Sequence, residues 1–342
     1  MIEEAGGNTM SKDKARNHLF DNIKALLIFS VVYAHYHKVN GDFSVDSLGG
    51  IIYITSFSYI MQGFLFVSGY FSKNVAKCRQ TSVQMFLLPY FVLMIFMYGV
   101  RYLLNGYATI NFFIPTMALW YLLVMFYYRF FIKDISKIPY ILPISFAISL
   151  LAGFVPFLGE KIALGRTFGF LPFFMLGYFS KQEHIDKIRK IPKPALIILL
   201  SGLLGFSVFL SKTGFMPIGM LYLKRSYMAS GVSPWQGLLM RLLIIIVSCC
   251  WILVFIGLTT EKRNFLSTIG ENTMAVYVFH IIIRYVIQRF GLPGGGTFVI
   301  YVLTFLAAAA SVYLLGKKPV ESFYNKIMEG ISNLFKFFLK KY

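Results

Sequence analysis

The sequence predicts an all-α, polytopic integral membrane protein with about ten transmembrane helices. Three observations carry this. Of 342 residues, 57% are hydrophobic and only 14% charged, with a mean hydropathy of +0.68. A soluble domain carries roughly a quarter charged residues. Apolar runs long enough to cross a bilayer recur along the chain, and its basic residues gather in alternate connectors.

Run length places spans near 19–37, 50–71, 84–104, 112–131, 139–156, 166–180, 194–210, 236–258, 273–290 and 297–316. One set of connectors (1–18, 72–83, 129–138, 181–193, 259–272 and 317–342) holds 22 of the 33 Lys and Arg residues, the opposite set 8. The positive-inside rule puts the rich set, with both termini, in the cytoplasm. Topology therefore accounts for most of the +19 net charge, which removes most of the case for nucleic acid.

The chain divides into a polar segment 1–18, a membrane domain 19–316 and a basic tail 317–342. The first apolar run lacks a small-residue cleavage site and is expected to stay as a signal anchor. The tail interleaves Lys317, Lys318, Lys326, Lys336, Lys340 and Lys341 with Phe, Ile and Leu, the pattern of an amphipathic helix on inner-leaflet lipids. Cys78, Cys249 and Cys250 have neither disulfide nor metal-ligand spacing. No metal motif, P-loop, dinucleotide fingerprint, nucleophile elbow or internal repeat is present.

The first span reads D-N-I-K-A-L-L-I-F-S-V-V-Y-A-H-Y-H over 21–37. Asp21, Lys24, Ile28, Val31 and His35 step by 3, 4, 3 and 4 and so share one face. Lys24 and His35 lie about three turns apart, roughly 16 Å along the axis. Ionisable groups in a membrane helix face a bundle interior or a wet cavity. This face is therefore read as one wall of a site open toward both sides of a membrane. The plainer readings stand beside it: Lys24 snorkelling with Asp21 as partner, and His35 marking the helix end.

Later spans add further groups. The second ends F-V-S-G-Y-F (66–71), with Ser68 offering a hydroxyl and Gly69 a close backbone approach. The third carries Pro89-Tyr90, a kink signal, and the fourth L-W-Y-L (119–122). G-R-T-F (165–168) opens the sixth, where Arg166 is either functional or an anchor. G-E-N-T (270–273) caps the ninth, which holds Tyr277 and His280 deep inside and Arg284 one turn beyond. Within the long loop 211–235, the stretch M-P-I-G-M-L-Y-L (216–223) is apolar enough to roof a cavity or dip back into the membrane.

At these residues the chain resembles the acyltransferase family 3 membrane proteins, which O-acetylate cell-surface glycans. It is most similar to the fucose 4-O-acetylase-like branch. The likeness spans about residues 18–316 and rests on five pieces in order: Lys24 with His35 eleven residues on, F-V-S-G-Y-F (66–71), L-W-Y-L (119–122), G-R-T-F…P-F-F…G-Y (165–178) and G-x-N-T…Y…H (270–280). One departure is that the Arg-rich stretch many relatives carry before the third-span Pro-Tyr is reduced here to Lys77 and Arg79. The family's fused extracellular hydrolase-like domain has no counterpart in the sequence, so transfer is expected to finish within the membrane domain or pass to a separate protein.

The resemblance implies a bacterial cytoplasmic-membrane enzyme using cytoplasmic acetyl-CoA as donor and a sugar hydroxyl of a glycan or lipid-linked sugar as acceptor. No metal is implied, and glycan-synthesis enzymes are implied as partners. Lys24, with Lys77 or Arg79, would hold CoA phosphates, and Ser68 would join the cofactor-binding residues. His35 would act as general base, with a covalent acyl-histidine as the variant. Arg166 or Tyr277 would steady the oxyanion, and His280 would orient His35 or the acceptor. A glycan-precursor transporter or flippase is the competing reading, and it predicts broken helices or repeat symmetry. A sensory module and a structural role come after it.

Overall fold

In a computed structural model the described residues are 17–39, 43–292 and 296–341, and they form helices with no strand among them. In chain order these are α1 (Leu19–Val39), α2 (Leu48–Phe57), α3 (Ile60–Tyr70), α4 (Val75–Ser82), α5 (Leu88–Asn105), α6 (Trp120–Ile135), α7 (Ile141–Leu151) and α8 (Leu164–Gly169). They continue as α9 (Leu171–Phe179), α10 (Gln182–Arg189), α11 (Lys193–Thr213), α12 (Pro234–Leu258), α13 (Phe265–Glu271), α14 (Thr273–Phe290), α15 (Thr297–Leu315) and α16 (Lys318–Lys341). Of the expected polar segment 1–18, residues 1–16 lie outside the described residues.

The expectation of about ten transmembrane helices is corrected. Five helical stretches are long and apolar enough to cross a membrane: Leu48–Tyr70, Val75–Asn105, Lys193–Thr213, Pro234–Leu258 and Thr297–Leu315. Two bent pairs, Lys161–Gly169 with Leu171–Phe179 (52°) and Phe265–Glu271 with Thr273–Phe290 (81°), bring the number to seven if each is one span. The remaining expected spans fail for visible reasons. α1 has 21 residues but includes Asp21, Asn22, Lys24, His35 and His37. α6 has 16 residues, short of the roughly 20 a bilayer core requires, and ends on Arg129, Lys133 and Asp134. α7 has only 11. Run length cannot tell an apolar helix facing lipid from one buried in protein. The alternation that put both termini on one side was counted over ten crossings and goes with them.

α1 is the hub. It packs against α2, α3, α12, α13, α14 and α15, and its buried residues fall on every side of the helix. Burying Asn22 is tolerable because its polar atoms are met: its Nδ2 donates to the carbonyls of Thr260 (2.8 Å) and Lys262 (3.1 Å), and its Oδ1 accepts from Ser267 (2.7 Å). The same segment meets α1 at Gly270, where a Cβ would collide with the Asp21 carbonyl.

Local chemistry sets the other elements. Asn264 caps α13, and Ser233 forms a capping box with Gln236 at the start of α12, with Pro234 at the first position. Pro89 has no N–H for the turn before it, and a π-helical stretch Val83–Leu87 leads directly into α5. α3 and α9 touch backbone to backbone. A Cβ on Gly69 would strike the Phe174 carbonyl, and one on Gly177 the Phe66 carbonyl.

Candidate functional site

Lys24, Ile28, Val31 and His35 line a row of three cavities along α1. The innermost, about 230 Å³, is bounded by Lys24, Ser68, Tyr121, Arg129, Thr273 and Tyr277 among apolar side chains. A neck of about 40 Å³ follows, sharing Val31, Met61 and Tyr277 with it. The neck shares His35, Phe57, Ala118 and Trp120 with an outer cavity of about 320 Å³. His35 therefore stands where the neck meets the outer cavity. The face read from the 3- and 4-residue spacing is the face that lines the row. Asp21 turns aside, pairing with Lys24 (3.0 Å) and His18 (3.3 Å).

The structure joins His35 to His280. His35 Nδ1 lies 3.0 Å from His280 Nε2, with the rings nearly parallel at 15°. His280 Nδ1 lies 2.9 Å from the Val276 carbonyl, which can only accept. In the neutral pair this fixes both tautomers. His280 carries its proton on Nδ1, so its Nε2 accepts. His35 must then donate from Nδ1, leaving the lone pair on its Nε2. His280 is fully buried.

The other expected residues separate. Ser68 Oγ sits 3.0 Å from the Tyr121 hydroxyl on the inner wall. Tyr277 lines both the inner cavity and the neck, and its hydroxyl donates to the Ala118 carbonyl. Arg166 lines the outer cavity, its guanidinium 4.4 Å over the Trp120 ring. Lys77 is exposed and lines none of these three cavities. Arg79 is held on α6: Nε donates to the Phe130 carbonyl (2.8 Å) and the guanidinium pairs with Asp134.

Arg129 is the inner-cavity cation that the sequence reading passed over as a connector residue. It packs 5.5 Å over the Phe86 ring, and a terminal nitrogen lies 3.4 Å from Thr81 Oγ1. Tyr121, Met125 and Arg129 step by four and all line the cavity, a spacing visible in the sequence.

The outer rim is built by the connector after α11. Tyr222 and Lys224 line the cavity, and Tyr227 pins the connector to α7 through Leu150 O (2.6 Å). Tyr53 and Tyr222 share a hydrogen bond of 2.8 Å, and Lys38 Nζ reaches both hydroxyls (3.3 and 3.2 Å). Glu160 pairs with Lys224 (3.2 Å) and Arg225 (2.6 Å). Burial raises the Glu160 carboxyl, but these two cations outweigh it and hold it below its ordinary value. Burial likewise holds the Lys224 ammonium below its usual value despite the carboxylate beside it.

Among the described residues, one cluster could accept a metal ion. The ligand atoms of His18, Asp21 and Glu271 lie within 4.8 Å of one another beside Lys24.

Neither a curated protein nor a solved structure gave a significant match to the chain. The family profile described as an acyltransferase domain matches residues 17–317, nearly the whole chain. With its several apolar helices, the protein is a multi-pass membrane protein that belongs to the acyltransferase family 3 domain proteins and catalyses an acyltransferase-type reaction.

Proposed function

We propose that the protein moves an acetyl group from acetyl-CoA to a sugar hydroxyl of a cell-surface or lipid-linked glycan, in a bacterial cytoplasmic membrane. The observation that carries this is the His35–His280 pair, with His35 standing where the neck from the inner cavity meets the polar outer one.

The donor enters at the Lys24 end. Lys24 and Arg129 hold its phosphates by charge-assisted contacts. The pantetheine arm rises past Ser68 and Tyr121 into the apolar neck, which Tyr277 shapes. Arg79 and Lys77 stand outside the row of cavities; Arg79 serves by locking α4 to α6.

The acceptor hydroxyl waits beside His35 Nε2. As its oxygen attacks the thioester carbonyl, Nε2 takes the hydroxyl proton, and the Nδ1–H···Nε2 bond to His280 holds the imidazolium in place. Arg166 faces the oxygen where negative charge builds. The tetrahedral intermediate then breaks its C–S bond. His35 returns its proton to the sulfur, releasing CoA as the thiol and leaving the sugar ester. The similarity to the fucose 4-O-acetylase-like branch supports a sugar hydroxyl as acceptor, and enzymes of glycan synthesis are the expected suppliers.

The test is transfer of label from acetyl-labelled CoA to a bacterial glycan extract by the purified full-length protein in nanodiscs. Ester-linked label on the glycan is the expected result. No acetyl-CoA binding together with no labelled ester contradicts the reading.

A further inference from the structure

The outer cavity carries far more charge than a neutral sugar needs. Lys38, Arg166, Lys224 and Arg284 line it, against a single carboxylate, Glu160, among the described residues. Glu160 is already engaged by Lys224 at 3.2 Å and by Arg225 at 2.6 Å. The other three cations meet neutral groups. Lys38 reaches two tyrosine hydroxyls, Arg284 donates to Gln288 Oε1 at 2.6 Å, and Arg166 lies over Trp120.

Among the described residues, these three cations around about 320 Å³ repel one another, and the one carboxylate lining the cavity, Glu160, is already paired with Lys224 and Arg225. An excess of one sign of charge around a cavity favours a ligand of the opposite sign. Aromatic rings complete the wall. Trp120, Tyr53 and Tyr222 line the cavity, and the two tyrosines bring hydroxyls of the kind that meet a pyranose ring.

We propose that this cavity selects an acceptor bearing a negative charge, a carboxylate or phosphate on the glycan close to the hydroxyl that is modified. Lys38 and Arg284 are its specificity-determining cations. The inference rests on the reading of this cavity as the acceptor site. It adds the chemical class of the acceptor: an acidic glycan, whichever hydroxyl is acetylated.

The test uses the full-length protein in zwitterionic nanodiscs with two soluble probes, octyl β-D-glucuronide and octyl β-D-glucoside. Binding is read by calorimetry, and transfer by acetylated product and free CoA. The uronide is expected to bind at least 10-fold more tightly, and its advantage to shrink as NaCl rises from 50 to 500 mM. In Lys38→Gln/Arg284→Gln the advantage is expected to vanish, chiefly through KM. Lys212→Gln, which removes a charge on the same end outside the cavity, is expected to keep it. Should the double variant fail to fold, Arg284→Gln alone and the salt series in the wild type still decide.

Equal or preferred binding of the neutral glycoside overturns the inference, as does a uronide preference that survives the double substitution. Phosphatidylglycerol nanodiscs that displace the uronide competitively would assign the cations to lipid headgroups and also overturn it. The two readings separate cleanly. Acetylation of both glycosides alike sinks the acidic-acceptor inference and leaves acetyl transfer standing. Salt-sensitive uronide binding without any CoA release leaves the anion site and removes the transfer reading.

Discussion

His35 Nδ1 and His280 Nε2 lie 3.0 Å apart, and the Val276 carbonyl at 2.9 Å on the far side of His280 sets the direction of that bond. In the proposed reaction the pair serves as base and orienter, with His35 at the wall of the outer cavity.

This direction makes the two histidines unequal. His280→Gln keeps an acceptor that can meet His35 Nδ1–H, whereas His280→Ala removes it. The alanine variant is expected to lose roughly 10- to 100-fold in kcat and the glutamine variant less, with KM for acetyl-CoA little changed in both. Equal losses in the two variants would remove the orienting role.

Arg129 and Arg79 are expected to part company. Arg129 lines the inner cavity while Arg79 is spent on Asp134 and the Phe130 carbonyl. A lost charged hydrogen bond is worth about 1.5–3 kcal/mol, so Arg129→Gln should raise KM for acetyl-CoA by roughly 10- to 100-fold. Arg79→Gln should lower thermal stability and leave that KM nearly unchanged. Steady-state kinetics beside thermal melts distinguishes them.

Backbone contact between α3 and α9 predicts intolerance of any side chain. Gly69→Ala and Gly177→Ala each drive a Cβ into a carbonyl of the facing helix. Overpacking of this kind costs about 1–3 kcal/mol, so both should lower the melting temperature in detergent by several degrees. Gly202→Ala meets nothing within 4 Å and should be neutral or slightly stabilising.

Glu160 gives the outer rim a pH dependence. Its carboxyl is raised by burial but held below its ordinary value by Arg225 and Lys224. A depressed carboxylate contributes stability that is present above its unfolded pKa, about 4.5 or just below, and lost as pH falls through the folded value. The melting-temperature gap between wild type and Glu160→Gln should hold steady from pH 6 to 8 and close as pH drops below about 4.5. A gap that widens in acid would contradict the assignment.

How much of this was legible in the sequence follows from what each signal measures. The stepping of Lys24, Ile28, Val31 and His35 is a property of helix geometry, and it gave the lining of the cavities directly. The number of spans was misjudged because α1 and α6 are apolar for different reasons from α12 or α15, and α7 is only 11 residues long. α1 and α6 bury half or more of their residues against protein, and α15 turns most of its surface outward. Arg79 and Arg129 look alike as letters, and only the fold puts Asp134 beside the first and a cavity beside the second. His35 and His280 are 245 residues apart, so their contact was beyond any local pattern, although the depth of each in an apolar helix marked both.

The most direct measurement is the rate of free-CoA release from acetyl-CoA, with and without glycan acceptor, by the wild-type protein and His35→Ala in nanodiscs. Acceptor-stimulated release in the wild type, falling by about 100-fold or more in the variant while acetyl-CoA still binds, is the predicted result. Identical release from the two proteins would contradict the placement of the general base at His35.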